Sequence, residues 1–554
     1  MTYTPPVAEQ LFLLRHIVRV GELSPDASDD LVQAIVEGAG AFAAGEFAPL
    51  NRIGDEVGAK WSPDGVTMPP GFREAYRAYV EGGWGTIAGP FEYGGQGLPL
   101  SLATVVMEDL GSANMGFSLI MMLTPGAVEA LKHHGSDVLK TEWLPKLVSG
   151  EWSGTMNLTE PQAGSDVGAL KTKAEPAGDG RWRITGTKIF ITFGDHDLTG
   201  NIVHLVLART PDAPPGTKGI SLFLVPKVLP DGTRNDLRCV SIEHKLGIHA
   251  SPTCVMSYGD EGGAIGWLIG EEGGGMRAMF TMMNNARLNV GLQGVSIAER
   301  ATQAAVAYAL ERRQGARPGS RESAAIVEHP DVRRMLLRMK ALTQAARALA
   351  YYAAGQTDRG EQGRADLLTP LVKAYGTDAG VEVTSLGVQV HGGMGYVEET
   401  GAAQHFRDAR ISPIYEGTNG IQAADLVGRK IGLEGGAVLA ALIAEIRSDG
   451  GDEAALMALA DAVEEAAARL LGAGADDRLA ASYPFLTMTS VLVCGWLMKR
   501  QLGALEGQGP FEAMKRASIR FYLEQVVPEA LGLVAAANAP AELLYSISAE
   551  AFTA

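Results

Sequence analysis

The hydrophobic period of this chain changes twice along its length. From about residue 28 to 155, DDLVQAIVEGAGAFAAGEFAPL and SLATVVMEDLGSANMGFSLIMM carry apolar residues at i, i+3 and i+4, the spacing that gathers them on one helix face. From about 181 to 258 the period falls to two, and RWRITGTKIFIT, NIVHLVLART, GISLFLVPK and RCVSIEHKLGI read as strands parted by Gly, Pro and Asp turns. Long helical patterns return at Gly275, and more follow Lys430. Because the strands are consecutive and do not alternate with helices, the chain is not a doubly wound parallel sheet. It also lacks GxGxxG, the turn that would hold a nicotinamide dinucleotide. The expected fold is α+β, mainly α. It has an N-terminal α domain with an extended N-terminus (1–155), a middle β domain (156–274), a C-terminal helical bundle (275–430) and an additional C-terminal helical domain (431–554).

A chain of 554 residues, 46% hydrophobic and 20% charged, has enough apolar surface for several cores. Its net charge of −17 repels nucleic acid and anionic membranes. Cys239, Cys254 and Cys494 lie far apart without CxxC spacing, which gives no disulfide framework and no metal site and fits a reduced, cytoplasmic setting. The N-terminus lacks a basic stretch before its apolar residues and is broken by Pro5 and Pro6, a poor signal peptide. No segment approaches the roughly 20 apolar residues of a membrane span, so no membrane insertion is expected.

Four stretches carry candidate chemistry. MNLTEPQAGSDVG (156–168) offers Thr159, Gly164 and Ser165, a hydroxyl and exposed N–H groups suited to a heterocycle or phosphate, though it reads equally as an ordinary turn. KIFITFG (188–194) puts Phe190 and Thr192 on one strand face, where an aromatic could stack on a flat ring and a hydroxyl could bond its edge. QVHGGMGYVEE (389–399) has glycines that let backbone approach a ligand, or simply end a helix, and its His391 reads as structural. SPIYEGTNGIQ (412–422) sets Glu416 among Ile414, Tyr415 and Ile421, just before a helix that Asn419 and Gln422 would cap. Glu416 is either a dipole complement of order 0.3–1 kcal/mol or a candidate base whose pKa is raised by burial and lowered by the helix. Met276, Met279 and Met283, at i, i+3 and i+7, would line an adaptable tunnel or fill a core.

Together and in this order, the motifs resemble the acyl-CoA dehydrogenase family. Its TEPxAGSD turn, K-x-(W/F)-I-T strand, QxxGGxGY helix end and RDARIxxIYEGT loop are met at 159–166, 188–192, 389–396 and 407–418. The opening MTYTPPVAEQLFLL and the helices after 430 resemble the extended branch that includes 3-methylmercaptopropionyl-CoA dehydrogenases. The resemblance implies a β-barrel-like middle domain, a four-helix bundle, and FAD held between them with an acyl-CoA thioester beside it. By similarity Met156, Leu158, Thr159, Ser165, Phe190, Ile191 and Thr192 contact the flavin, and Arg312, Gln389, Gly392 and Gly393 reach it across a homodimer interface. Thr418 and Asn419 would lie near the adenosine part, and Ser165, Arg287 and Gly417 would hold the thioester. Glu416 takes the general base's position, abstracting the α-proton while a hydride leaves for flavin N5. Departures are Arg312-Arg-Gln-Gly-Ala316 in place of RxxFG, His249 where arginine is common, and Gly420 where glutamate is common.

The implied activity is α,β-dehydrogenation of an acyl-CoA, 3-(methylthio)propanoyl-CoA or a short- to long-chain thioester, with an electron-transferring flavoprotein as acceptor. An acyl-CoA oxidase would share base and flavin. A DNA-binding flavoprotein of the alkylation-response type would need a basic C-terminus, but 431–554 holds 16 Asp and Glu against 8 Lys and Arg, the wrong sign for phosphates.

Overall fold

The computed structural model describes residues 3–554. The described residues form two compact units, one made of 3–5 and 34–286, the other of 6–33 and 287–554.

In the first unit, helices Leu100–Ala113, Met115–His134 and Asp137–Ser149 precede the sheet. The last two start from side-chain caps: Asn114 accepts from Phe117 N and Ser136 from Leu139 N, satisfying N–H groups that a helix start leaves free. Eight strands follow in the order Ala264–Ile269, Ile220–Pro226, Asn201–Arg209, Lys173–Gly178, Arg181–Thr192, Thr253–Tyr258, Leu237–Ile242, with Trp152–Asn157 parallel to Asn201–Arg209. Strand Ala264–Ile269 also pairs with Arg181–Thr192, so five strands close into a ring and the sheet is barrel-like. Asn201–Arg209 is buried along nearly its whole length, as a strand covered on both faces must be. Trp143, Leu144, Leu147, Leu205, Leu222 and Met279 meet in one core, each contributing about 1.5–3 kcal/mol of apolar burial. The methionine stripe belongs to this core: Met279 is fully buried, and Met276 and Met283 pack on it.

In the second unit the end of helix Gly275–Glu311 lies against Gln362–His391, with Pro330–Asp358 beside them. Glycines set the closeness of the first crossing. A Cβ on Gly294 would fall 1.9 Å from the Gly376 carbonyl oxygen, and one on Gly291 2.4 Å from that of Val372. Backbone therefore touches backbone, and residues flanking the contact are forced together. Helices Ala437–Gly450, Ala454–Gly472, Ser482–Gly503 and Pro510–Phe521 complete the unit. Trp496 is wholly buried, edge-on to Tyr352 at 5.3 Å.

All three cysteines are buried and free. Among the described residues no helix is long and apolar enough to cross a membrane, and no group of acidic, His or Cys side chains is arranged to hold a metal ion.

Candidate active site

The loop between helices Ala402–Ala409 and Asn419–Asp425 presents Glu416 in a left-handed conformation, φ 56°, followed by Gly417 at φ 81°. A non-glycine residue there is strained by about 1–2 kcal/mol, so the surroundings must hold it. Tyr415 donates its hydroxyl to Gln293 Oε1. Gln422 Nε2 reaches the carbonyls of Glu416 and Gly417, both at 3.3 Å, and Asn419 N donates to Pro413 O at 3.0 Å. Thr418 caps the following helix by accepting from Ile421 N at 3.1 Å.

This corrects the expected cap. The cap is Thr418, not Asn419, and Glu416 lies ahead of it, outside the first turn, which holds no acidic residue. Burial pushes its carboxyl up to about 7, against the pull of the Arg287 guanidinium and the Lys373 ammonium. Its backbone N–H enters no backbone hydrogen bond among the described residues. The site therefore offers a carboxyl poised near neutrality with an adjoining free donor.

Two cations face it from the crossing helices. Arg287 is buried, 3.8 Å from Asp425 Oδ2, and burial lowers its pKa while Asp425 and Glu416 raise it. Lys373 is fully buried; burial brings it down to about 7, opposed by Glu416 and Asp378. Lys373 is a residue that sequence reasoning missed. Its signal was a lone lysine inside an otherwise apolar stretch, LLTPLVKAYG.

Asn419 is buried and its amide is spent within the protein. Nδ2 donates to Asp378 Oδ1 at 2.8 Å and Thr377 Oγ1 at 3.0 Å, while Oδ1 accepts from Lys373 Nζ at 2.9 Å. The resemblance expects Asn419 near the adenosine part of FAD, and its amide is engaged by partners within the chain. Thr418 does line a groove of about 710 Å³, with Asp378, Arg410, Ile414, Asn419 and Tyr483.

At the far ends of the same helices, Tyr308 stacks on His391 with centroids 4.5 Å apart. This brings Arg312 into the neighbourhood of Gln389, Gly392 and Gly393, and all four are exposed. Cβ atoms on Gly392 and Gly393 would meet nothing, so the backbone is open to a ligand or a partner. His391 is buried, with Nδ1 on Gly387 O at 2.7 Å, a structural histidine.

In the other unit, Lys188 and Glu160 assemble the turn and the strand. Lys188 Nζ meets Glu160 Oε1 at 2.8 Å and donates to Leu158 O at 3.0 Å. Burial raises the Glu160 carboxyl, but Lys188, Thr172 and the Lys171 N–H together bring it down to about 2. Ile189 N then donates to Thr159 O at 2.9 Å, so Thr159 and Leu158 sit beside Phe190, Ile191 and Thr192, next to Met156. Strict alternation fails here. A bulge between Lys188 and Ile191 puts Phe190 at φ 59° and leaves it 59% exposed, with Ile191 buried and Thr192 half-buried. The extra residue re-aims the ring. Ser165 is exposed on the turn. An unused aromatic face beside two hydroxyls fits a flat, polar-edged ring such as a flavin.

Sequence models of the acyl-CoA dehydrogenase N-terminal, middle and C-terminal domains match residues 30–151, 155–260 and 273–431, and one described as acetyl-CoA dehydrogenase C-terminal like matches 443–548. A 3-methylmercaptopropionyl-CoA dehydrogenase of Ruegeria pomeroyi is 46% identical over 96% of this chain and 97% of its own. The broad-specificity linear acyl-CoA dehydrogenase FadE5 of Mycobacterium tuberculosis is 33% identical over 95% and 96%. An acyl-CoA dehydrogenase from Bacillus anthracis, solved with FAD, shares the fold with a TM-score of 0.76 at 22% identity, covering 98% of this chain and 93% of that one. The chain belongs to the acyl-CoA dehydrogenase family.

Proposed function

We propose that the protein binds FAD and oxidises an acyl-CoA thioester to the trans-2-enoyl-CoA, with Glu416 as the general base. The observation that carries this reading is Glu416 itself. It is half-buried, held at φ 56° facing Arg287 and Lys373, with burial placing its pKa at about 7, where a base works best near neutral pH. Its own N–H and the left-handed Gly417 leave room and a donor for the thioester carbonyl, an oxyanion-hole role. Arg287, with Lys373, favours the ionised carboxyl before the α-proton is taken. FAD, when bound, supplies the hydride acceptor. Phe190, Thr192, Thr159, Met156, Leu158, Ile191 and Ser165 would hold it from one copy. Arg312, Gln389, Gly392 and Gly393, exposed on the single chain, would reach it from the other copy of a homodimer. The electron acceptor is an electron-transferring flavoprotein, and the setting is cytoplasmic.

The similarity to the Ruegeria enzyme favours 3-(methylthio)propanoyl-CoA, with linear short- to long-chain thioesters as the competing class. Purified protein given both classes, with an artificial acceptor or with oxygen alone, tests this. Turnover that requires the acceptor and peaks on the methylthio substrate is expected. Oxygen-only turnover identifies an oxidase. In the same assay Glu416→Gln should keep yellow flavin and lose roughly 100- to 10,000-fold in kcat, and parent-like turnover removes Glu416 from the role.

A further inference from the structure

The C-terminal helices hold helix Gln362–His391 through several polar contacts, among them the Arg364–Glu445 ion pair at 3.0 Å and three further ones. Tyr483, in helix Ser482–Gly503, donates its hydroxyl to Asp378 Oδ2 at 2.6 Å. The Tyr522 and Tyr375 hydroxyls meet at 2.6 Å. Arg338 joins Glu382 to Glu529, the latter at 2.9 Å. Only the Tyr483 contact leads to the reactive loop. Asp378 Oδ1 accepts from Asn419 Nδ2, Asn419 Oδ1 accepts from Lys373 Nζ, and the Lys373 charge acts on Glu416.

We propose that Tyr483, on the C-terminal extension, is a positioning residue for Glu416, acting through Asp378, Asn419 and Lys373. This rests on Glu416 being the base.

Each link has a direction. An amide has one donor end and one acceptor end. Asp378, as a carboxylate, accepts at both oxygens, so the Asn419 amide must turn Nδ2 towards it and Oδ1 towards Lys373. The reversed amide would set an acceptor against a carboxylate and a donor against an ammonium. Asp378 is half-buried, and burial raises its pKa, while the Tyr483 and Asn419 hydrogen bonds and the Lys373 and Arg410 charges oppose that. Tyr483 thus helps keep Asp378 ionised and aimed. Asp378 in turn helps keep Lys373 charged, against burial and Arg287. Lys373 finally joins Arg287 in favouring the Glu416 carboxylate. The groups facing Glu416 are Arg287 from helix Gly275–Glu311 and Lys373 from Gln362–His391, with Tyr415 beside it on the loop. The same four residues place the loop mechanically, because Asn419 opens the helix that the loop feeds.

The sign follows link by link. Without the Tyr483 hydroxyl the Asp378 carboxyl rises, Lys373 loses part of its counter-charge and falls, and Glu416 loses part of a nearby cation and rises. The test is infrared titration of the Glu416 carboxyl, read as the difference between each variant and the same variant carrying Glu416→Gln, alongside the acid limb of kcat/KM. Tyr483→Phe should raise the Glu416 midpoint by about half a pH unit, and Asp378→Asn should raise it further. The double variant should fall well short of the sum of the two single shifts, since the Tyr483 hydrogen bond to Asp378 is the first link of the relay. Tyr522→Phe removes a hydroxyl that meets the same helix Gln362–His391 at Tyr375, outside the relay, and should leave the midpoint where it is. An unmoved midpoint in Tyr483→Phe, additivity in the double variant, or an equal shift in Tyr522→Phe overturns the proposal. The titration reads the carboxyl itself, so its outcome is separate from whether Glu416 abstracts the α-proton, which turnover of Glu416→Gln decides.

Discussion

Glu416 carries two forms of stored cost, a strained backbone and a partly desolvated carboxyl, and both are measurable. Its folded pKa of about 7 lies above the ordinary 4.5. The native state therefore holds this proton longer than the unfolded chain does, and stability falls as pH rises from about 4.5 to about 7. Glu416→Gln removes that cost, so the variant should be more stable than the parent by about 1–3 kcal/mol above pH 7 and nearly equal to it below pH 4.5. Chemical denaturation at pH 5 and pH 8 reads the difference. The ionised carboxyl is the active form, so kcat/KM should climb with pH through about 7. Gly417 is the second residue at which the loop is specified. Its φ of 81° disfavours any Cβ, and one placed there would lie 2.9 Å from Gln422 Nε2. Gly417→Ala should cost about 1 kcal/mol of stability, and because Gln422 holds the Glu416 carbonyl, it should lower kcat/KM by about tenfold or more. A fall in stability with unchanged kcat/KM would mean that the loop tolerates the shift.

At the scale of elements, the strand Arg181–Thr192 shows where sequence pattern stops informing. Its period of two was legible, and so were the helix periods on either side. The bulge was not, because one extra residue in a strand leaves no mark on alternation that a single sequence can separate from a surface residue. The Glu160–Lys188 pair was hidden for a different reason: its members lie 28 residues apart, and only the fold brings them to 2.8 Å. The pair is buried, so losing one partner leaves an uncompensated charge. Lys188→Met should cost about 3–5 kcal/mol, while Glu160→Gln with Lys188→Met should recover much of that loss. Urea midpoints of parent, single and double variants measure it, and flavin retention should fall with the single variant, since the turn would part from the bulge. The cap shows the same limit at shorter range. Thr418 and Asn419 are both good capping residues, and what decided between them was that Asn419 had buried partners on another helix.

At the scale of the molecule, the residues after 430 read in the sequence as an appended domain, and their acidity argued against nucleic acid without saying what they are for. The structure gives them a packing role within the second unit. Trp496 lies wholly buried against Tyr352, Cys494 Sγ meets Ala345 O at 3.6 Å, and Lys515 is buried in an ion pair with Glu9, near the opposite end of the chain. None of these partners was legible, because helix periodicity reports which face is apolar and not what covers it. A domain attached this way has no independent surface to retreat to. Its loss would expose Tyr352, Tyr375 and the buried Lys373 neighbourhood, and would strand Glu9 without its cation. Residues 287–554 should therefore unfold in one transition, with probes at Trp496 in the extension and on helix Pro330–Asp358 reporting the same urea midpoint. A tethered module would melt first, at a lower midpoint, and limited proteolysis would release it as a stable fragment. Coincident midpoints would show that the bundle bearing Lys373 and the extension bearing Tyr483 share one cooperative fold, the condition under which a hydroxyl on the extension can act on a carboxyl in the loop.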